Sequence, residues 1–267
     1  MPNDCATAYL SPASPEEVAQ YLERRAIVQA RRDEVITIAE GNWLVARVLA
    51  DLMSEDPGAE IHAGQPALRD AYEELLSRCG ADDNNYTRSV LSVLAAAGAG
   101  PLLPLRLLCA ASGKLGGPAT EAGIRDELSR LRGLVVRGSA GTEREHAGLF
   151  HDTLAAHIAS HAPQHVLAAH QALADCIRSL APPDMSQAGI SDPIQRYAFE
   201  REAEHLWALG DTDATLRCLS ERKAAVPRDN QRRWRFWGPR IESHLGADHP
   251  GTLTTRKWIH YLGQVER

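Results

Sequence analysis

The chain has 267 residues and a mass of 29.1 kDa, with 44% hydrophobic and 24% charged residues. That is ordinary globular composition and excludes a disordered tail. A formal charge of −6 excludes a general polyanion binder, though not a local basic patch.

Forty-one alanines and 31 leucines against 5% aromatics favour closely packed helices over a sheet. Residues 1–15, with three prolines, read as a flexible lead-in. Ser14-Pro15-Glu16-Glu17 then starts a helix: Ser caps it, Pro takes the first position, and acids fill the first turn. The stretch from Val18 to Glu40 is one helix or two and stops near Gly41. In the following helix Leu44, Val45, Val48, Leu49 and Leu52 share a face. Glu55 to Pro66 is a polar loop, and Gly80 closes the next helix. Asp82-Asp83-Asn84-Asn85 is a turn and a domain boundary.

Beyond it the spacing predicts three short apolar helices near 87–97, 102–111 and 119–132. Residues 134–138 and 146–150 read as the two strands of a hairpin. This is the element order of a winged helix. Further helices are expected from about 151, then at 164–180, 193–209, 212–225, 229–243 and 250–263. Short turns between paired helices suggest a right-handed superhelix of helical hairpins, without a strict period. No apolar run approaches the ~20 residues of a membrane span, and residues 1–15 lack the pattern of a signal peptide. Cys5, Cys79, Cys109, Cys176 and Cys218 form no CxxC, which points to reduced, structural thiols and a cytoplasmic setting. Cys109, in an apolar helix, reads as the most buried and chemically inert.

Three clusters carry candidate chemistry. Six of the 11 histidines fall between 146 and 170: His146, His151, His157, His161, His165 and His170. His157 and His161 have the i, i+4 spacing of a zinc pair. No H-E-x-x-H is present, Pro163 interrupts the face, and no cysteine completes the set. A solvated polar face is favoured, no metal is expected, and a pH-sensitive helix junction is the alternative. The helix at 119–132 balances Glu121, Asp126 and Glu127 against Arg125, Arg130 and Arg132, which argues against a DNA-reading role. The stretch 228–240 holds five Arg, two Trp and one Phe. Trp234, Trp237 and Ile241 lie at core-facing spacing, with a basic face opposite. Arg228, Arg232, Arg233, Arg235, Trp234 and Trp237 are the candidate partner-binding residues; nucleic acid is disfavoured as the partner. No G-x-S-x-G elbow occurs. The Gly113-Lys114 pair is followed by Leu115 and has Leu108 where a P-loop needs glycine, and no Walker B strand is found.

IAEGNWLVARVLADLM (38–53) resembles the helical-lid segment of STAND ATPases, signalling NTPases related to AAA+ proteins. Residues 84–150 have the length and element order of that family's winged helix. Phe150-His151-Asp152 is similar to its Met-His-Asp motif, with Phe in place of Met. The resemblance implies that His151, with Asp152 as its helix-capping neighbour, is a nucleotide sensor approaching the β-phosphate of bound ADP; the residues alone favour Asp152 as the cap of a helix starting near 153 and His151 as structural. Residues 245–256, LGADHPGTLTTR, resemble the linker between helices in kinesin-light-chain-type tetratricopeptide repeats. Without a P-loop, ADP or ATP would bind only if a partner supplied one. The expected protein is mainly α with a small β-hairpin. It comprises a flexible start (1–15), a helical lid-like domain (16–80), a winged-helix domain (84–150) and a TPR-like helical superhelix (151–267). The expected function is a non-catalytic regulatory or scaffold module of STAND type, not an enzyme, that binds a protein partner through the superhelix. The alternatives are a winged-helix transcriptional regulator and a split STAND ATPase completed in trans.

Overall fold

A computed structural model describes residues 13–56, 58, 65–81, 84–100, 102–183, 192–224 and 226–265. The lead-in before Ala13, most of the expected loop at 55–66 and Asp82-Asp83 of the expected turn lie outside the described residues. Two compact units form, 1–83 and 84–267.

The first unit contains α1 (Pro15–Arg24), α2 (Gln29–Ala39), α3 (Trp43–Glu55) and α4 (Gln65–Arg78). Ser14 and Glu17 form the reciprocal capping box at the start of α1, with bonds of 3.2 and 2.8 Å. The helical stretch after Val18 is two helices, because Ala26 turns into left-handed backbone at φ 58°. Asn42 caps α3 by accepting the Leu44 N–H at 2.9 Å. Leu22, Val35, Leu49, Leu52, Tyr72 and Leu75 form the buried interior. Asp51 pairs with Arg25 at the edge of that interior.

The second unit runs α5 (Asn85–Ala97), β1 (Leu103–Pro104), α6 (Leu105–Lys114), α7 (Glu121–Arg130), β2 (Val135–Gly138) and β3 (His146–Leu149). It continues with α8 (Asp152–His161), α9 (Pro163–Leu180), α10 (Pro193–Ala208), α11 (Thr212–Glu221), α12 (Pro227–Leu245) and α13 (Pro250–Val265). The protein is thus mainly helical, but the expected hairpin is a three-stranded antiparallel sheet in the order β1-β3-β2. Leu103 pairs with Ala147, and Val135 with Leu149. β1 is only two residues long and acquires its strand character from the partner, so no alternating pattern announces it. Gly148 lets the backbone of Gly100 lie against the sheet, where the Gly100 N–H donates to Leu149 O at 2.8 Å.

Val90, Leu94, Leu107, Ile124, Leu128 and Leu149 fill the space between α5, α6, α7 and the sheet. A second core gathers Leu206, Leu219, Trp234, Trp237 and Ile241, drawn from α10, α11 and α12. Trp234, Trp237 and Ile241 therefore face inward, as their spacing predicts. Cys176 and Cys218 are buried more deeply than Cys109, a correction to the sequence reading; no disulfide links the cysteines among the described residues. Among those residues, no helix is long and apolar enough to cross a membrane.

Candidate functional site

Three of the five cations in α7 and the stretch through the β2–β3 hairpin, Arg125, Arg130 and Arg137, are committed to carboxylates of the same region. Glu145 is 1% exposed and sits where the hairpin folds back on α7. Its carboxylate accepts from Arg125 Nε at 3.0 Å, Arg137 Nε at 2.9 Å and the Gly141 N–H at 3.1 Å. Arg125 also bonds Glu121 at 2.9 Å, and Arg130 reaches Glu127 at 3.4 Å. Arg132 and Arg144 are the cations of this stretch without a carboxylate among the described residues. A phosphate backbone would have to compete with these pairs for most of the positive charge.

Burial pushes the Glu145 pKa up, but the bonds from Arg137, Gly141 and Arg125 outweigh it and hold the group below the ordinary value. A depressed folded pKa contributes stability that is complete above the unfolded value of about 4.3 and is lost as pH falls through the folded one. Glu145→Gln is therefore expected to cost about 1–3 kcal/mol at pH 7. In urea titrations the gap from the unaltered protein should shrink toward pH 3.5; a gap constant with pH would refute the charge assignment.

His151 caps α8, a role the sequence reading gave to Asp152. Its exposed imidazole accepts the Thr153 N–H at Nδ1, 3.1 Å away, while Asp152 is already the first helical residue. With Nδ1 engaged, Nε2 is the ring nitrogen left for any other contact. His157 and His161 pack ring on ring one turn apart on α8, with centroids 4.1 Å apart, and His161 Nδ1 lies 2.9 Å from the His157 carbonyl. His146 belongs to β3 and His165 and His170 to α9, so the histidine run is divided among a strand and two helices.

Helix α12 separates the candidate partner-binding residues into two sets. Arg228, Arg232 and Arg235 are exposed, together with Arg240 and Phe236, which is 49% exposed. Arg233, Trp234 and Trp237 are buried, which corrects their assignment to a contact surface. Trp234 stacks on Trp258 at 6.1 Å, and Trp237 meets Trp207 edge to face at 5.6 Å. Arg240 lies 4.1 Å over the Phe236 ring and holds it on the outer face. Arg228, Arg232 and Arg240 have no carboxylate partner among the described residues. Between 227 and 265 seven Lys and Arg face three Asp and Glu, so this part is basic within a chain of charge −6.

Two buried polar networks were not foreseen from sequence. In the first, Glu202 accepts from Arg222, and Arg222 Nη2 donates to Ala181 O at 2.6 Å. Arg233 Nη1 donates to Arg222 O at 2.9 Å, its Nη2 reaches Cys218 Sγ at 3.5 Å, and the guanidinium covers the Phe199 ring at 4.7 Å. Burial, aided by Glu202, pushes the Cys218 thiol up to about 12, which makes it a poor nucleophile. In the second, the Tyr197 hydroxyl meets His205 Nε2 at 3.0 Å, and His205 Nδ1 meets His170 Nδ1 at 2.9 Å. Burial, then His170 and Arg201, push His205 down to about 3, and burial pushes His170 down to about 4. Neither network could be found by spacing, since Glu202 and Arg222 are 20 residues apart and His170 and His205 are 35 apart.

Comparison with protein-family models and with curated proteins finds no match to the chain.

Proposed function

We propose that the chain is a non-catalytic regulatory or scaffold module of STAND type that engages a protein partner through its C-terminal helices. The observation that carries this reading is a contrast between two basic surfaces. The cations of α7 and the wing are mostly neutralised internally, while α12 presents Arg228, Arg232 and Arg240 without carboxylate partners among the described residues, beside an exposed Phe236. An exposed aromatic flanked by arginines is the composition of an interface anchor. It favours a protein partner over DNA.

The order α5-β1-α6-α7-β2-β3, with β1 beside β3, is consistent with a winged helix placed as a packing element. Its immediate continuation into His151-Asp152 fits the lid and winged-helix portion of a signalling ATPase. The helices after it are read as TPR-like hairpins. Support comes from the α12–α13 turn, where His249 Nδ1 accepts the Gly251 N–H at 3.1 Å and Thr252 Oγ1 donates to Gly246 O at 2.7 Å. A Cβ at Gly251 would lie 2.7 Å from Leu216 Cδ1, so that side-chain end packs closely on the turn.

The test is a photo-crosslinking residue at position 232 of the full chain in cells. Discrete protein adducts are expected, reduced at least tenfold by Arg228→Glu with Arg240→Glu. Adducts to nucleic acid, or a salt-sensitive DNA mobility shift at micromolar protein, would overturn the reading in favour of a transcriptional regulator.

A further inference from the structure

We propose that the seam between α9 and α10 carries a proton-triggered switch: a directional hydrogen-bond chain from Tyr197 through His205 to His170 that one added proton must reverse. A neutral imidazole has one N–H and one lone pair, so each of the two contacts holds a single proton. Tyr197 makes no other hydrogen bond among the described residues, and it is buried. Its O–H therefore donates to His205 Nε2. His205 must then carry its proton on Nδ1 and donate it to His170 Nδ1, which leaves His170 protonated at Nε2. The direction of the whole chain follows from one buried hydroxyl.

His205 is 1% exposed, whereas His170 is only half-buried, so a proton from solvent enters at His170. A proton on His170 Nδ1 would face the Nδ1–H of His205 across 2.9 Å. The conflict is relieved by moving the His205 proton to Nε2, which then donates to the tyrosine oxygen. That reversal leaves the Tyr197 O–H buried without an acceptor.

The surroundings offer no compensation. Arg201 of α10 acts on His205 and opposes a further positive charge, while Glu204, held by Arg201 at 2.6 Å, acts on Tyr197. On α9, Asp175 is turned toward Lys114 of α6 at 3.5 Å. No charged group of α5, α8, α11, α12 or β1, the other elements packed on these two helices, acts on either imidazole among the described residues. Both folded-state values lie below the unfolded value of about 6.5. The stabilisation is therefore complete above that pH and is lost as pH falls toward the folded values. The seam loosens on acidification while the α12–α13 pair, which contains none of these groups, does not.

Two-bond ¹⁵N–¹H NMR on the full chain reads the tautomers directly. At pH 7.5, His205 is expected as Nδ1–H and His170 as Nε2–H. Tyr197→Phe removes the hydroxyl that reversal would orphan, and the His170 midpoint is expected to rise by about half a pH unit, threefold in proton affinity. Between pH 7 and 4.5, amides of α9 and α10 should lose exchange protection ahead of those of α12. A proton on Nε2 of His205, a His170 midpoint unchanged by Tyr197→Phe, or uniform loss of protection would overturn the proposal. Should Tyr197→Phe fail to fold, the tautomers of the unaltered protein decide alone.

Discussion

Glu202→Ala is expected to lower the unfolding free energy by about 3–5 kcal/mol, the range for breaking a buried ion pair from one side. Arg222 is 1% exposed and bonds this one carboxylate, and Arg233, also buried, feels its charge without bonding it. Carbonyl oxygens of Ala181 and Arg222 accept some of their N–H groups but carry no compensating charge. With Glu202 removed, Arg222 keeps its position without an anion, or swings out and leaves a cavity. Both outcomes are costly. Glu202→Leu combined with Arg222→Met should recover most of the loss, because an apolar replacement leaves no Arg222 charge in the interior. Urea denaturation of the single and double variants reads both values. A single-variant loss below about 1 kcal/mol would mean that water screens the pair, as at a surface.

Gly148→Ala is the second large effect. A Cβ at this position would stand 1.5 Å from the carbonyl oxygen of Gly100. The obstruction is backbone, so no side-chain rotation can relieve it, and the bond from Gly100 N–H to Leu149 O must be given up. A cost of at least ~3 kcal/mol is expected, at the upper end of overpacking substitutions. Gly141→Ala is the control: φ is positive there at 77°, but nothing lies within 4 Å, so the loss should stay near ~1 kcal/mol. Thermal unfolding followed by circular dichroism separates the two. Equal losses would show that the approach of Gly100 to the sheet is not what selects glycine at 148.

The features that were legible in the sequence are those written within a few residues. Ser14 and Glu17 announce α1 because a capping box needs only three positions of separation. Trp234, Trp237 and Ile241 reveal the inner face of α12 because helical period and burial agree. Arg233 misled because residue type was weighed above position. It lies one turn before Trp237 on the inward side, and its charge is accommodated by Phe199, Cys218 and the Arg222 carbonyl, which come from elsewhere in the chain. The capping of α8 by His151 was missed because imidazole is a less common cap than the aspartate beside it. The histidine cluster was visible as composition, but only the fold brings His205 and Tyr197 to His170.

The contacts around Arg222 have an implication for how the helices from α9 to α12 come apart. In stacked-hairpin proteins each unit touches its neighbours, and ends can fray one unit at a time. Here one side chain at the end of α11 is bonded both to the end of α9 and to α10, and its own carbonyl holds α12. Opening any of these helices exposes the same cationic side chain. These helices thereby share one tie at Arg222, so no hairpin can leave the segment without orphaning that charge. Evolutionary gain or loss of a hairpin within it would cut the shared tie.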